Sequence, residues 1–148
     1  MKPTTRRSTI ALLASSLLLT IGRGATLPFM TIYLTRQYAM TVDTIGYAMS
    51  IALVVGVMFS LGFGILADKF DKKLYMLIAV AFFICGFVAI PLVHSVVLVV
   101  FFFSLINCSY SVFSTVLKAY FSDTLAPTTK AKVFSLNYTF LNIGWTIG

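Results

Sequence analysis

Apolar residues arrive in five long blocks separated by short polar breaks, and the pattern predicts a helix for each. The blocks lie near residues 9–34, 44–67, 74–92, 96–121 and 134–148. A helix needs about 20 residues to cross a hydrocarbon core of roughly 30 Å, so these blocks are sized to span or enter one. Backbone polar groups in lipid must be satisfied within their own segment, which selects helices. The alternating ten-residue pattern of a membrane barrel does not occur in the sequence. The fold class read here is all-α: a polytopic membrane helix bundle over residues 1–148, with loops near 68–73 and 122–133. The fifth block is the short one. Its fifteen residues rise about 22 Å at 1.5 Å each and stop at Gly148 with no polar flank, so the chain is expected to be a truncated N-terminal part.

Within the blocks, small and polar residues fall on particular faces. In the second, Ala48, Ala52, Gly56, Ser60 and Gly64 recur every four positions, a stripe that lets two helix backbones approach closely in lipid. In the fourth, Ser104, Asn107, Ser111, Ser114 and Lys118 fall within an arc of roughly 80° on a 100° wheel. Such a face turns to another helix or to a wet cavity, and Asn107 and Ser111 are candidates for either. Lys118 sits within a turn of the segment end, where a long cation snorkels to water. In the fifth, Tyr138, Asn142 and Trp145 share a face, while Asn137, Gly144 and Gly148 share another. An aromatic-plus-amide face suits a ligand cavity and suits ordinary packing equally.

The first block holds the costly residue. Thr9, Ser16, Thr20 and Arg23 lie on one face, with Arg23 near mid-span. An Arg at a helix centre costs about 2.5–3.5 kcal/mol on insertion scales. The carboxylates of the chain are Asp43, Asp68, Asp71 and Asp123, all near segment ends, so none easily reaches Arg23. Its partner is expected to be a substrate, water, or a group in the missing part of the protein. Pro28, five residues on, removes a backbone hydrogen bond and is expected to bend the helix.

Composition strengthens the membrane reading. The 148 residues are 59% hydrophobic and 10% charged, against about a quarter charged in soluble domains; lipid must cover what these charges cannot. The formal charge of +7 does not imply nucleic acid, because the basic residues are scattered between apolar runs. They follow the positive-inside rule instead. With a cytoplasmic N-terminus, Lys2, Arg6, Arg7, Lys69, Lys72, Lys73, Lys118, Lys130 and Lys132 lie inside and Arg36 outside. Cys85 and Cys108 stand alone in apolar segments beside a single histidine, His94, so neither a metal nor another cofactor is expected. A cleaved signal peptide is disfavoured because Arg23 falls where a small residue should precede the cut.

Between the second and third blocks the chain reads Gly64-Ile65-Leu66-Ala67-Asp68-Lys69-Phe70-Asp71-Lys72-Lys73. This resembles the loop signature of the major facilitator superfamily, G-x-x-x-D-(R/K)-x-G-(R/K)-(R/K), in the loop where that family carries it. Asp71 stands where the family usually has Gly, and Asp tolerates the left-handed backbone better than most residues. Gly24-Ala25-Thr26-Leu27-Pro28-Phe29 followed by Tyr33 is similar to the family's first helix. Gly144-Trp145-Thr146-Ile147-Gly148 is similar to the start of its G-x-x-x-G-P antiporter motif. Helix four lacks the Arg of many proton-coupled exporters, with Asn107 near that position.

The resemblance implies a twelve-helix secondary transporter of the bacterial inner membrane, of which this chain would supply five helices. It implies proton-coupled efflux of small drug-like or peptide-like molecules. The expected partners are then the lipid bilayer, a small-molecule substrate, protons and the absent C-terminal half. Carried over, Gly64, Asp68, Lys69, Lys72, Lys73 and Asp123 would form the cytoplasmic gate, Lys72 pairing with Asp123. Arg23, Asn107, Ser111, Tyr138 and Asn142 would line the cavity, while Ala52, Gly56, Ser60, Gly144 and Gly148 would pack helices. An enzyme is not expected, since no nucleophile or metal cluster is visible near the interface. The rival reading is a five-helix accessory protein, or an inactive fragment. A dimeric four-helix multidrug exporter is set aside because it relies on a membrane Glu and this sequence has none.

Overall fold

The computed structural model describes residues 3–67, 69 and 71–148. Asp68, on which the gating expectation turns, lies outside the described residues, as does Lys2. Helix α1 spans Pro3–Tyr38, α2 Val42–Ala67, α3 Lys72–Ala89, α4 Val96–Thr124 and α5 Pro127–Ile147. A single 3₁₀ turn, Ile90–Leu92, follows α3. Among the described residues there is no strand. Four of the helices, α1 to α4, are long and apolar enough to cross a membrane.

The helices outrun the apolar blocks at several ends, and α5 departs most. It begins at Pro127 rather than near 134, and most of the expected 122–133 loop is helical. Proline is at home in the first turn, where its missing N–H would be unpaired anyway. It also holds the preceding residue extended, and Ala126 stands at ψ 148°. Hydropathy marks where lipid begins, not where a helix does; Thr128, Thr129, Lys130 and Lys132 are polar without breaking the helix. With Asn137 and Asn142, these polar residues leave α5 outside the four helices that length and composition alone mark as membrane-crossing; it is the fifth of the five helices expected from the sequence.

The turn before α3 is also settled locally. Asp71 has φ −62° and ψ 114°, an extended backbone rather than a left-handed one. Its side chain accepts a hydrogen bond from the Lys73 N–H at 2.8 Å, which makes it an N-cap. The carboxylate in place of the family's glycine therefore starts a helix.

Two compact units make up the chain. One holds the described residues of 1–26 with Leu117–Gly148; the other holds those among Leu27–Val116. In the second unit, Met30 and Leu34 of α1, Ile45 and Ala52 of α2, and Val99 and Phe103 of α4 form a buried cluster. Helix α2 reaches α4 through its small-residue stripe. A Cβ at Gly56 would stand 3.2 Å from the Asn107 Cβ and the Cys108 backbone nitrogen. Ala52, Gly56 and Ser60 are buried, whereas Ile51, Val54, Met58 and Leu61 on the same helix are exposed, as suits a lipid-facing side. Helix α3 meets α4 at Gly86, whose added Cβ would lie 2.6 Å from Ile106. The first unit joins the early part of α1 to α5 and the end of α4, where Phe121 meets Phe134 edge-on at 6.3 Å.

Between α1 and α2 the chain turns through Ala39, which has φ 49° and is alone among the described non-glycine residues in the left-handed region. For an L-residue with a Cβ that conformation costs roughly 1–2 kcal/mol; glycine adopts it freely but loses more entropy on folding. Ala39→Gly is expected to stabilise the protein by about 0.5–1 kcal/mol. The check is the midpoint of chaotrope unfolding in detergent; an unchanged or lower midpoint goes against this reading of the turn.

Candidate functional site

The polar residues of the first unit come together along α1 and α5. The Ser16 hydroxyl donates to the Asn137 side-chain oxygen at 3.1 Å, and both residues are buried. Hydrogen bonds of this kind tie helices where no water competes. One turn on, Thr20 is fully buried and donates to the Ser16 carbonyl at 2.7 Å. Against it lies Gly144, whose added Cβ would come within 2.8 Å of Thr20 Cβ and Cγ2. Gly148 continues the seam beside Ile21, Gly24 and Ala25, close enough that an added Cβ would overlap the Ile21 carbonyl oxygen. Glycine is needed at these two positions because backbone meets side chain or backbone directly.

Arg23 follows on α1, half-buried, with its guanidinium carbon 5.3 Å from the centre of the Trp145 ring. That distance is a cation–π contact, worth about 0.5–1 kcal/mol when exposed and about 2 when desolvated. The expectation that no group in the chain itself partners Arg23 is thereby corrected: the Trp145 ring is one such group. A neutral ring carries no sign of such a role in the sequence. Tyr138 and Asn142, expected on the same cavity face as Trp145, are both exposed.

In the second unit Asn107 is buried and its side-chain nitrogen donates to the Phe103 carbonyl at 2.9 Å. Ser104 likewise donates to the Val100 carbonyl at 2.9 Å. Ser111 and Ser114 are half-buried, and Lys118 is exposed. The polar stripe of α4 is therefore answered in part by its own backbone. At the loop motif, Gly64 is half-buried, with Thr115 Cγ2 3.8 Å from where its Cβ would be. Lys69 is exposed and its N–H donates to the Leu66 carbonyl at 3.0 Å. Lys72 is half-buried, while Lys73 and Asp123 are exposed. Among the described residues no three His, Cys, Asp or Glu side chains gather into a metal-binding group.

The α1/α5 seam yields a clean contrast. Gly144→Ala is expected to destabilise the chain by about 1–3 kcal/mol, because the methyl has no room against Thr20. Gly62→Ala on α2, where nothing lies within 4 Å, is expected to be neutral or to gain about 0.5–1 kcal/mol in helix propensity. Unfolding midpoints in detergent compare the two; equal effects would mean that the seam is not tight.

With this geometry in place, residues 12–148 match the Major Facilitator Superfamily as a family. The chain is 75% identical over 143 residues to the Uncharacterized MFS-type transporter YdeE of Escherichia coli (strain K12), covering 97% of this chain and 36% of that protein. It is 32% identical over 132 residues to the Uncharacterized MFS-type transporter YqjV of Bacillus subtilis (strain 168), covering 86% of this chain and 32% of that protein. The chain thus spans about a third of the length of these curated relatives. No solved structure matches it.

Proposed function

The chain belongs to the major facilitator superfamily, a family of multi-pass membrane transporters, and we propose that it forms part of a transporter moving a small molecule by alternating access. In this reading it contributes five helices of one six-helix half, which rocks against a second half around a site near the bilayer midplane. The N-terminus is cytoplasmic, the membrane is a bacterial inner membrane, and transport is outward and coupled to protons. The bias of basic residues supports the orientation, and the two relatives, both named as MFS-type transporters, support the activity.

The observation that carries the proposal is Arg23, a cation half-buried within a membrane-length helix and stacked on Trp145. Lipid makes such a charge expensive, and a site facing a substrate is what makes it worth keeping. Asn107, Ser111, Tyr138 and Asn142 complete the cavity in this proposal, and Asp68 with Lys69, Lys72, Lys73 and Asp123 gates the cytoplasmic side. Charged residues of both signs can form a network that is made in one state and broken in the other.

Two substitutions in the complete transporter separate these roles. Arg23→Ala is expected to lower transport about 10- to 100-fold, the value of a lost charged hydrogen bond, with the amount of protein in the membrane unchanged. Full transport by that variant would remove Arg23 from the cavity. Asp68→Asn is expected to abolish vesicle transport while insertion persists, because the neutral side chain can no longer hold the gate. If Asp68→Asn transports normally, the gating assignment fails.

A further inference from the structure

A narrow cleft of about 200 Å³ opens between α2, α3 and α4. Phe63 from α2, Ile78 and Phe82 from α3, and Leu105 and Val112 from α4 make its walls. Tyr75 of α3 also lines it, and the Tyr75 hydroxyl is buried with no hydrogen-bond partner among the described residues. A buried hydroxyl left unpaired is costly, so it needs an acceptor. Cys108 and Ser109 of α4 line the cleft as well, but neither bonds to the Tyr75 hydroxyl.

Size and arrangement narrow the occupant. Sites for drug-sized ligands run to about 300–1,000 Å³, so this cleft holds a slender chain rather than a folded molecule. Along α3, Lys72, Tyr75, Ile78, Ala79 and Phe82 recur at steps of three and four, one face of a helix. From the helix start, that face passes from cation to hydroxyl to hydrocarbon. A glycerophospholipid presents phosphate, ester carbonyl and acyl chain in the same order, the carbonyls lying a few ångströms inside the phosphate. Tyr75 lies about 6 Å along the axis from the Asp71 cap, four residues at 1.5 Å each. We infer that this cleft seats one acyl chain of a glycerophospholipid, whose ester carbonyl accepts the Tyr75 hydroxyl hydrogen while Lys72, at the start of the same face, lies at the level of its phosphate. The site is separate from Arg23 and does not depend on whether the protein transports.

The test exploits the carbonyl. The chain, purified in mild detergent, is offered equal amounts of diester and diether phosphatidylglycerol of matched tail length, and retained lipid is weighed by native mass spectrometry. The wild type is expected to retain the diester about five- to tenfold over the diether, the value of one hydrogen bond shielded from water. Tyr75→Phe is expected to bring that ratio to about one, with helical circular dichroism unchanged. Equal retention of both lipids by the wild type overturns the inference, and so does a diester preference that survives in Tyr75→Phe. Ala79→Leu, which fills the cleft from α3, is expected to lower retention of both lipids about tenfold. Undiminished retention by that variant would mean that the lipid sits elsewhere.

Discussion

A polar group inside hydrocarbon has no water to fall back on, and this constraint governs nearly every specific contact in the chain. The hydroxyl-bearing residues answer it locally. Ser15, Thr20, Thr26, Thr35, Ser104, Thr124, Thr139 and Thr146 each donate to the carbonyl four residues back. Such bonds cost a helix little and leave nothing unmet for lipid to reject. Other groups are met outside their own turn: Ser16 by Asn137, Arg23 by Trp145 and Tyr38 by the Val93 carbonyl, while the Tyr75 hydroxyl is met by no described residue.

That division explains what the sequence made legible. Helix existence followed from apolar length, since lipid permits little else, and the α2 stripe at Ala52, Gly56 and Ser60 is buried on the side facing α4. The loop signature carried the family because its charges recur at fixed spacing. Helix ends were less legible: α5 starts at Pro127 because proline and polar helix formers extend it beyond the apolar run. Asp71 could be placed in a turn from sequence, but only its backbone angles distinguish an N-cap from a left-handed corner. The polar arc of α4 was visible as an arc, yet a wheel diagram cannot show that Ser104 and Asn107 turn back to the Val100 and Phe103 carbonyls of the same helix.

Partners across helices were hidden for a different reason. Arg23 and Trp145 are separated by most of the chain, and nothing in either segment's composition points to the other. The Ser16–Asn137 bond spans 121 positions and is equally silent in sequence. Its residues did fall on faces with Thr20 and with Gly144, so the faces were readable even though their meeting was not. The glycines supply the missing link: Gly144 and Gly148 permit the close approach that brings Asn137 and Trp145 against α1.

Magnitudes bear on how a helix can keep Arg23 in lipid. Insertion of an Arg near mid-helix costs about 2.5–3.5 kcal/mol, and a desolvated ring face returns about 2. The Trp145 ring therefore offsets part of that cost. A carboxylate partner would hold the guanidinium more tightly, since breaking a buried ion pair by removing one partner costs about 3–5 kcal/mol. A ring face gives less than a counter-charge would, and it asks for no second charge to be buried with the first. The α1/α5 seam, tight at Gly144 and Gly148, brings that face to Arg23, so the cost of the cation and the closeness of the two helices are settled together.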